Sequence, residues 1–522
     1  VAEPNGERAL GSRRASSAML AKTLDWERVA LYYLRQISGQ FLDVETGMRK
    51  TADDIEPHHG AFLDYCTWLQ ETIRTGQHPY ALPQWLQDTA EQIDQIQTRY
   101  STEDIDFRLI RMAWEVLPAV IRHDTTMLQS FMADDTLSEW YQNSLVCAPA
   151  QEPLGAIIAQ LAHRYRRLQV LEIGAGTGCA TRSVLPALGD ALARYMFTDV
   201  SAGFFDKAAQ QFAPFADRME FQTFDLDVDP IEQGFEEGSY DVVVAYAVLH
   251  VAASLRDALR RVRRLLKPGG FLVLTEVLGD GPMALGLIFG GFTGWWAGRE
   301  EGRRYSPTVS LETWQELLAA TGFSGVDTHT PLKDPIAWPI SVMVAQAVEN
   351  KVCSLPEPGV EELVIVAAPS FPEPEVLQGV QAQLRAHTRH LTLFKSLEEL
   401  NGAPFPTKPT VLNLAHLDPE SVKPSEGAWQ GLQALINSAR HMLWITDDYR
   451  AGNASSALSV GLARSLLHEM PHLRLQMLDI SRETDKDTVV KVIFESFLRL
   501  VSTSDPDTLS TFEPELALDS TG

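Results

Sequence analysis

Cysteine and basic residues are scarce in this sequence, and each shortage excludes a class of protein. Only four cysteines occur in 522 residues, with no C-x-x-C pair, so neither a disulfide framework nor a zinc or redox motif is predicted and a reducing, cytoplasmic setting fits. The 44 basic residues are outnumbered by 69 acidic ones, which gives a formal net charge of −25. Because nucleic-acid-binding surfaces need basic patches, we expect no nucleic-acid partner.

Long uninterrupted apolar runs are also missing. Residues 281–298 carry no charge and match the length of a transmembrane helix. Six glycines and Pro282 interrupt this segment, so we expect it to be buried and to line a pocket, with no membrane partner. No signal-peptide run stands near the N-terminus, and since the chain begins with Val1 and not Met we expect it to be a piece of a longer protein.

The spacing of apolar residues changes along the chain. It is helical from about residue 23, whereas short apolar runs alternate with helical patterns after residue 168 and again after residue 361. Such alternation is typical of an α/β fold with doubly wound sheets. The predicted strands are 169–173, 195–199, 219–225, 240–246 and 270–277, followed by 362–367, 390–394, 410–415, 442–446 and 473–480. The predicted boundaries are 1–22 (linker), 23–155 (helical subdomain), 156–348 (first α/β core), 349–361 (linker), 362–510 (second α/β domain) and 511–522 (linker).

A glycine-rich turn follows the first predicted strand. Gly174, Gly176 and Gly178 allow a tight strand-to-helix turn and let a ligand approach the backbone. A dinucleotide-binding motif requires a small residue at the position that Cys179 occupies. The G-x-G-x-G form, preceded by Glu172, fits S-adenosylmethionine (SAM) better, although a glycine loop alone is weak support.

Acidic residues stand at the ends of the next two predicted strands. Asp199 can accept hydrogen bonds from both hydroxyls of a ribose, and Asp225 can reach the amino group of adenine. Leu226, the next residue, is assigned to the same predicted cofactor site. The alternative is that both carboxylates only cap the helices that follow. The order of the three elements favours binding of SAM, with S-adenosylhomocysteine as the product.

This order of elements resembles the class I SAM-dependent methyltransferases, a Rossmann-like doubly wound fold. Further motifs narrow the resemblance over residues 57–338 to the C-methyltransferase domain of fungal highly reducing polyketide synthases, in which a helical lid precedes the core. They are Y-A-V-L-H at 246–250, L-K-P-G-G at 266–270, L-T-E at 274–276, W-W at 295–296 and G-F-S-G-V at 322–326. The C-terminal part is similar to the Rossmann-like pseudo-ketoreductase of such synthases, through L-W-I-T at 443–446 and G-L-A-R-S-L at 461–466, and residues 512–517 resemble the linker into the enoylreductase.

The resemblance implies a catalytic His–Glu dyad. His250 and Glu276 follow the fourth and fifth predicted strands, whose ends are neighbours in a doubly wound sheet. A carboxylate beside an imidazole fixes its tautomer and raises its basicity. The family's dyad removes the α-proton of a β-ketoacyl thioester, and the enolate attacks the methyl group of SAM without a metal. The alternative is a capping histidine and a solvated glutamate.

Four aromatic residues are weaker candidates. Tyr246 could face the cofactor or the enolate oxygen, or simply pack. Trp295 and Trp296 suit the wall of a tunnel for an acyl chain, with core packing as the alternative. Tyr141 is expected to help the helical lid close over the cofactor.

The last domain is expected to be structural. After residue 362 the sequence has no G-x-G-x-x-G, and no tyrosine of the chain has lysine four residues later, so we expect no NADPH site. The expected function is C-methylation; a catalytically inactive scaffold and a small-molecule O-methyltransferase remain alternatives.

The expected partners follow from the resemblance. They are an acyl carrier protein whose phosphopantetheine holds the β-ketoacyl chain, and the neighbouring dehydratase, enoylreductase and ketoreductase domains. Residues 255–267 form a predicted amphipathic helix with six basic residues opposite its apolar face. This face is either solvated or a docking surface for the acidic carrier protein.

Overall fold

The secondary structure follows the changes in apolar spacing. The computed structural model describes residues 4–43, 50, 55–131, 136–348, 360–367, 374–402, 408–415, 425–449, 452–470, 472–501, 509 and 513–518. The chain divides into two units, Val1–Glu349 with Asp507–Leu509, and Asn350–Pro506 with Ser510–Gly522. We call them unit 1 and unit 2.

Unit 1 begins with helices that pack their apolar faces on one another. Trp26 and Leu31 on the longest of them are fully buried, and Trp26 Nε1 donates to the backbone oxygen of Asp106 (3.0 Å). Ser16 caps the start of that helix by accepting a hydrogen bond from the Met19 amide. The helices are α1 (Gly6–Leu10), α2 (Ser17–Phe41), α3 (Pro57–Arg74), α4 (Ala90–Gln97), α5 (Ile105–Ile121), α6 (Met127–Phe131), α7 (Thr136–Asn143) and α8 (Ala148–Arg164).

A seven-stranded sheet follows in unit 1, with the order β3-β2-β1-β4-β5-β7-β6. Strands β1 to β5 are parallel, and β7 runs antiparallel to both β5 and β6. The strands are β1 (Leu168–Ile173), β2 (Leu192–Asp199), β3 (Met219–Thr223), β4 (Tyr240–Tyr246), β5 (Leu266–Val277), β6 (Thr328–His329) and β7 (Ile340–Gln346). The helices between them are α9 (Cys179–Leu188), α10 (Phe205–Gln211), α11 (Leu255–Leu265), α12 (Met283–Phe289) and α13 (Leu311–Ala319).

The strand order places the site. The direction in which the chain adds strands reverses between β1 and β4, so the loops after these strands diverge and leave a crevice at the carboxyl edge of the sheet. The five parallel strands of this sheet were predicted from the sequence. Strands β6 and β7 were not, and β5 begins at Leu266, before the predicted start at residue 270, because Leu266 already pairs with Tyr240 ahead of a register shift.

Unit 2 contains a six-stranded parallel sheet in the order β13-β12-β11-β10-β8-β9. The prediction of a second doubly wound, Rossmann-like sheet is confirmed. The strands are β8 (Val360–Val366), β9 (Thr388–Phe394), β10 (Thr410–Asn413), β11 (His441–Asp447), β12 (Arg474–Ile480) and β13 (Glu515–Leu518), and the helices are α14 (Pro374–Arg385), α15 (Glu426–Ser438), α16 (Ala454–Glu469) and α17 (Lys486–Val501).

Two segments expected to be linkers contain secondary structure. Within 1–22, the Gly6 amide of α1 donates to Thr328 Oγ1 of β6 (2.8 Å), so this segment packs on the edge of the sheet. Within 511–522, β13 pairs with β12 and Glu515 forms an ion pair with Arg464 (2.6 Å). Both elements are only four or five residues long, which is too short for an apolar period to be recognised in the sequence. Most of the expected 349–361 linker lies outside the described residues.

The uncharged segment 281–298 forms α12 and a 3₁₀ helix, Thr293–Glu301. In the described part of the chain, no single helix has the length and apolar character needed to cross a membrane; α7 and α8 meet the criterion only as a pair, with a 66° bend between them.

We expect the substitution Gly6→Ala to destabilise unit 1, because a Cβ there would overlap the His329 carbonyl. The free energy of unfolding should fall by about 1–3 kcal/mol, measured by urea denaturation. Gly39→Ala in α2 is the control, since a Cβ there meets nothing within 4 Å, and it should raise stability by about 0.5–1 kcal/mol. Unchanged stability of Gly6→Ala would contradict the packing of α1 on β6.

Candidate active site

The glycine turn links β1 to α9. Gly174, Gly176 and Gly178 have φ angles of +62°, +51° and +76°, a region that favours glycine. A Cβ at Gly174 would overlap Val248, and one at Gly178 would lie 2.7 Å from the Phe212 ring. At Gly176 the nearest atoms would be 3.9 Å away. Gly174 and Gly178 therefore allow the turn to pack, and Gly176 borders open space.

Glu172 lies beneath this turn and does not face the open space. Its Oε2 accepts hydrogen bonds from the hydroxyls of Thr181 (2.6 Å) and Tyr195 (2.5 Å), and burial raises its pKa to about 7. These contacts favour a supporting role for Glu172, and its assignment to the cofactor site stays a prediction. The carboxylate ties β1 to α9 and β2, which holds the glycine turn in place.

The acidic residues after β2 and β3 differ in their surroundings. Asp199 Oδ2 accepts from the Gly176 amide (3.0 Å), and burial raises the pKa of Asp199. Asp225 lies two residues past β3, and its Oδ1 accepts from the Asp227 amide (2.9 Å). Leu226 is buried. The structure thus brings Asp199, but not Asp225 or Leu226, to the glycine turn.

A cavity of about 200 Å³ opens at the turn. The Thr177 hydroxyl beside it is buried and has no hydrogen-bond partner within the described residues. The cavity is lined by Phe131, Leu137, Ser138, Gly176, Thr177, Gly203, Phe204, Lys207, Ala208 and Gln211. An open glycine next to a carboxylate and an unused hydroxyl is an arrangement that a nucleoside ligand fits.

His250 and Glu276 meet at the carboxyl edge of the sheet. His250 Nδ1 lies 2.7 Å from Glu276 Oε2, and Glu276 Oε1 accepts from the Leu249 amide (2.9 Å). Glu276 is completely buried and His250 is 8% exposed. A carboxylate at this position favours the tautomer that carries the proton on Nδ1, and a neutral imidazole of that form has its lone pair on Nε2. In the part of the chain that the structure describes, no three His, Cys, Asp or Glu side chains converge as a metal site would require.

A second cavity of about 330 Å³ has His250 in its wall. Its walls are mostly apolar and come from the helical subdomain, the turn after β4 and the segment 285–295. The lining residues are Leu137, Trp140, Tyr141, Val146, Cys147, Ala247, His250, Val251, Val277, Leu285, Phe289, Phe292, Gly294, Trp295, Thr308 and Ile340. Leu137 lines both cavities, so they are neighbours.

The four aromatic candidates separate into two groups. Tyr141 and Trp295 line the larger cavity, and the Trp295 ring stands edge-on to His250 at 5.9 Å. Tyr246 OH donates to the Cys147 backbone oxygen (2.8 Å), and Trp296 Nε1 donates to that of Gly290 (2.8 Å). These hydrogen bonds favour the packing alternative for Tyr246 and Trp296, and their assignment to the cofactor and to the tunnel stays a prediction.

Sequence reasoning missed the residue that holds α12, the helix that brings Leu285 and Phe289 to the cavity. The carboxylate of Glu27 on α2 is buried and accepts hydrogen bonds from the amides of Met283 (2.8 Å) and Ala284 (3.0 Å) and from Tyr80 OH (2.5 Å). Burial raises its pKa to about 7. A glutamate next to Trp26 in a buried apolar stripe was the available signal.

The basic residues of 255–267 are mostly engaged inside unit 1. Arg263 donates to the Gly322 and Val348 carbonyls, and Lys267 pairs with Asp241 (2.7 Å). Arg264 forms ion pairs with Asp229 and Glu237, and Arg261 donates to the Leu226 carbonyl. This favours a structural and solvated face over a docking surface.

Comparisons with known proteins agree with this geometry. A family model described as a methyltransferase domain matches residues 171–272. The chain is 34% identical, over 99% of its length, to a fusarielin synthase of Gibberella zeae, of which it covers 21%. It is 36% identical, over 94% of its length, to a polyketide synthase-nonribosomal peptide synthetase of Aspergillus clavatus, of which it covers 12%. The chain thus spans about a fifth or less of these relatives.

Among solved structures, the CurJ carbon methyltransferase is similar to part of this chain. It is 28% identical with a TM-score of 0.53, and the match covers 62% of this chain and 92% of that one. The chain carries a methyltransferase domain, and it is similar to polyketide synthases and to a carbon methyltransferase. The citrinin polyketide synthase CMeT domain, at 22% identity and a TM-score of 0.53 over 63% of this chain and 90% of that one, shares the fold. The predicted class I SAM-dependent methyltransferase fold is confirmed.

The stability of the methyltransferase domain should depend on pH through Glu172. Its pKa is about 7 in the folded state against an ordinary value of 4.5, so between these values the folded chain keeps a proton that the unfolded chain has lost. Stability contributed by this group is therefore present below pH 4.5 and is lost as pH rises through about 7. In urea unfolding, the Glu172→Gln variant should gain about 3 kcal/mol relative to wild type over this window. The free energy of unfolding of the exposed control Glu236→Gln should change with pH as that of wild type does. The prediction would be contradicted if the curve for Glu172→Gln ran parallel to the wild-type curve.

Proposed function

We propose that this chain transfers a methyl group from SAM to the α-carbon of a β-ketoacyl thioester held by an acyl carrier protein. The observation that carries the proposal is His250, paired with Glu276, in the wall of an apolar cavity that shares Leu137 with the cavity at the glycine turn. The match to polyketide synthases supports a carrier-bound substrate and neighbouring dehydratase, ketoreductase and enoylreductase domains.

The residues at the glycine turn fit SAM. Gly176 leaves room for a ligand, Asp199 presents a carboxylate beside it, and the Thr177 hydroxyl lacks a partner in the described chain. When bound, SAM supplies an electrophilic methyl group, and S-adenosylhomocysteine is left. Asp199 would accept hydrogen bonds from the ribose, whereas Asp225 and Leu226 stay proposals for the adenine end.

The dyad supplies the base. His250 Nε2 takes the proton as the α-C–H bond breaks, and the electron pair of that bond becomes the enolate, which is the carbon nucleophile that methylation needs. Glu276 stabilises the imidazolium that forms and keeps the ring oriented. The apolar walls of the cavity exclude water, so solvent screens the charge of Glu276 only weakly at the imidazole. The proton then leaves His250 for solvent, and no residue of the site needs a metal.

The acidity of the α-proton determines which acyl thioester can be the substrate. In a β-keto thioester two carbonyls share the developing charge, so an imidazole can remove the proton. A β-hydroxy or saturated thioester has only one carbonyl, and its α-proton is far less acidic. We therefore propose that methylation occurs at the β-keto stage.

We propose that unit 2 is a structural pseudo-ketoreductase without NADPH. Its sequence has no reductase-type glycine loop and no Tyr-x-x-x-Lys pair, although residues 368–373, which follow β8, lie outside the described residues. The free, buried thiols of Cys66, Cys147 and Cys179 suit a reducing, cytoplasmic setting.

Calorimetry should show that the chain binds SAM and S-adenosylhomocysteine but not NADPH. The substitution Gly176→Val should abolish SAM binding, because its side chain would enter the space at the turn. Gly189→Val is the matched control: it has a similar φ of +48° at the other end of α9, a Cβ there meets nothing within 4 Å, and SAM affinity should persist. Equal SAM affinity of the two variants, or tight NADPH binding, would contradict the assignment.

The reaction is tested with matched β-keto, β-hydroxy and saturated acyl thioesters and methyl-labelled SAM. Label should appear only at the α-carbon of the β-keto substrate. His250→Ala should keep SAM affinity and lose activity by about 10²–10⁴-fold, and Glu276→Gln should lose less. The control His163→Ala, at an exposed position on α8, should match wild type. Label on oxygen, equal turnover of all three substrates, or a fully active His250→Ala would overturn the proposal.

A further inference from the structure

Arg303 is a buried cation that faces the loop of the dyad. It lies two residues after the 3₁₀ helix Thr293–Glu301, and its side chain is 7% exposed. Nη1 donates to the backbone oxygen of His250 (2.6 Å), and Nη2 donates to those of Ala252 (2.6 Å) and Ala253 (3.1 Å). One guanidinium thus spans the turn that carries the base.

The carboxylate of Glu301 lies beside the positive charge of Arg303. Glu301 Oε2 lies 3.3 Å from Nη2 and also accepts from the Leu255 amide (3.0 Å) at the start of α11. Burying a guanidinium costs free energy unless its N–H donors are hydrogen-bonded. A displacement of the three carbonyls in 250–253 would leave donors of Arg303 unpaired. The side chain therefore fixes the backbone of this turn.

The turn after β4 needs such support. Ala247 has a φ of +49°, which is unfavourable for a residue with a side chain, and its amide donates to the Thr275 oxygen (2.7 Å). Glu276 fixes the imidazole of His250 through Nδ1, whereas Arg303 fixes the main chain of the same residue. The two contacts together determine where Nε2 points.

We propose that Arg303 is a positioning residue for methyl transfer, acting through His250. The inference rests on the proposed role of His250 as the base. Arg303 does not line the cavity and is not expected to touch substrate or cofactor. Its effect should therefore appear in the rate of the chemical step and not in binding.

Gly298 provides an independent way to displace the guanidinium. A Cβ at Gly298 would overlap the Cζ, Nε and Nη2 atoms of Arg303, and its φ is not in the left-handed region, so the backbone itself accepts alanine. Gly298→Ala should push the guanidinium off the turn without removing it. Both substitutions then break the same contacts.

The experiment measures kcat, the KM of a β-ketoacyl thioester and SAM affinity for Arg303→Met, Gly298→Ala and the double variant. Each single variant should lower kcat by about 10–100-fold, since small misplacements of a catalytic group cost this much, with KM and SAM affinity within about twofold. The kcat of the double variant should be no lower than that of Arg303→Met, because the Cβ at position 298 then has no guanidinium to displace. Arg304→Met is the control: Arg304 is exposed, with its guanidinium over the Tyr305 ring at 5.0 Å, and kcat should stay at the wild-type value.

The outcomes separate this proposal from the proposed function. If His250→Ala is inactive but folded Arg303→Met or Gly298→Ala keeps the wild-type kcat, the positioning role is wrong and the dyad stands. A loss of SAM affinity or a rise in KM equal to the fall in kcat, or additive losses in the double variant, would also overturn it. If His250→Ala is fully active, the proposed function itself fails. Should Arg303→Met not fold, the smaller change Gly298→Ala decides by the same criteria.

Discussion

The completely buried carboxylate of Glu276 constrains the whole active edge of the methyltransferase domain. A buried carboxyl group must be hydrogen-bonded, and both oxygens of Glu276 are, to the Leu249 amide and to His250 Nδ1. Both donors belong to the turn after β4, so this turn has to bend sharply to present them. The unusual φ of Ala247 is where the bend occurs.

That bend also determines the shape of the glycine turn. Val248 packs against Gly174 so closely that no side chain fits at position 174. The turn proposed to hold the cofactor and the turn that carries His250 are therefore in direct contact, across β1 and β4, where the strand order reverses. Because the two turns touch, Glu172, which ties the glycine turn to α9 and β2, lies in the same packed unit as the turn after β4.

Sequence reasoning succeeded where function depends on strand ends and failed where it depends on distant contacts. The carboxyl ends of β1, β2, β4 and β5 follow from apolar runs and place Gly176, Asp199, His250 and Glu276 at one edge. In contrast, Glu27 meets Met283 across 256 residues, and Arg303 meets His250 across 53, so no local pattern reports either contact. For the same reason the sequence left packing open as an alternative for Trp295 and Trp296, which are neighbours in sequence but have different partners.

Three buried carboxylates in unit 1 are held by similar sets of hydrogen-bond donors. Glu27, Glu172 and Glu276 each join segments that are distant in sequence, and in the described chain each is held by hydroxyl, amide or imidazole donors without an ion pair to lysine or arginine. For Glu27 and Glu172, burial without a cation raises the pKa to about 7, which is tolerable because their task is structural. For Glu276 the same arrangement would have a chemical use under the proposed mechanism. A cation paired with Glu276 would neutralise the charge that is proposed to stabilise the imidazolium of His250, whereas neutral donors leave that charge available.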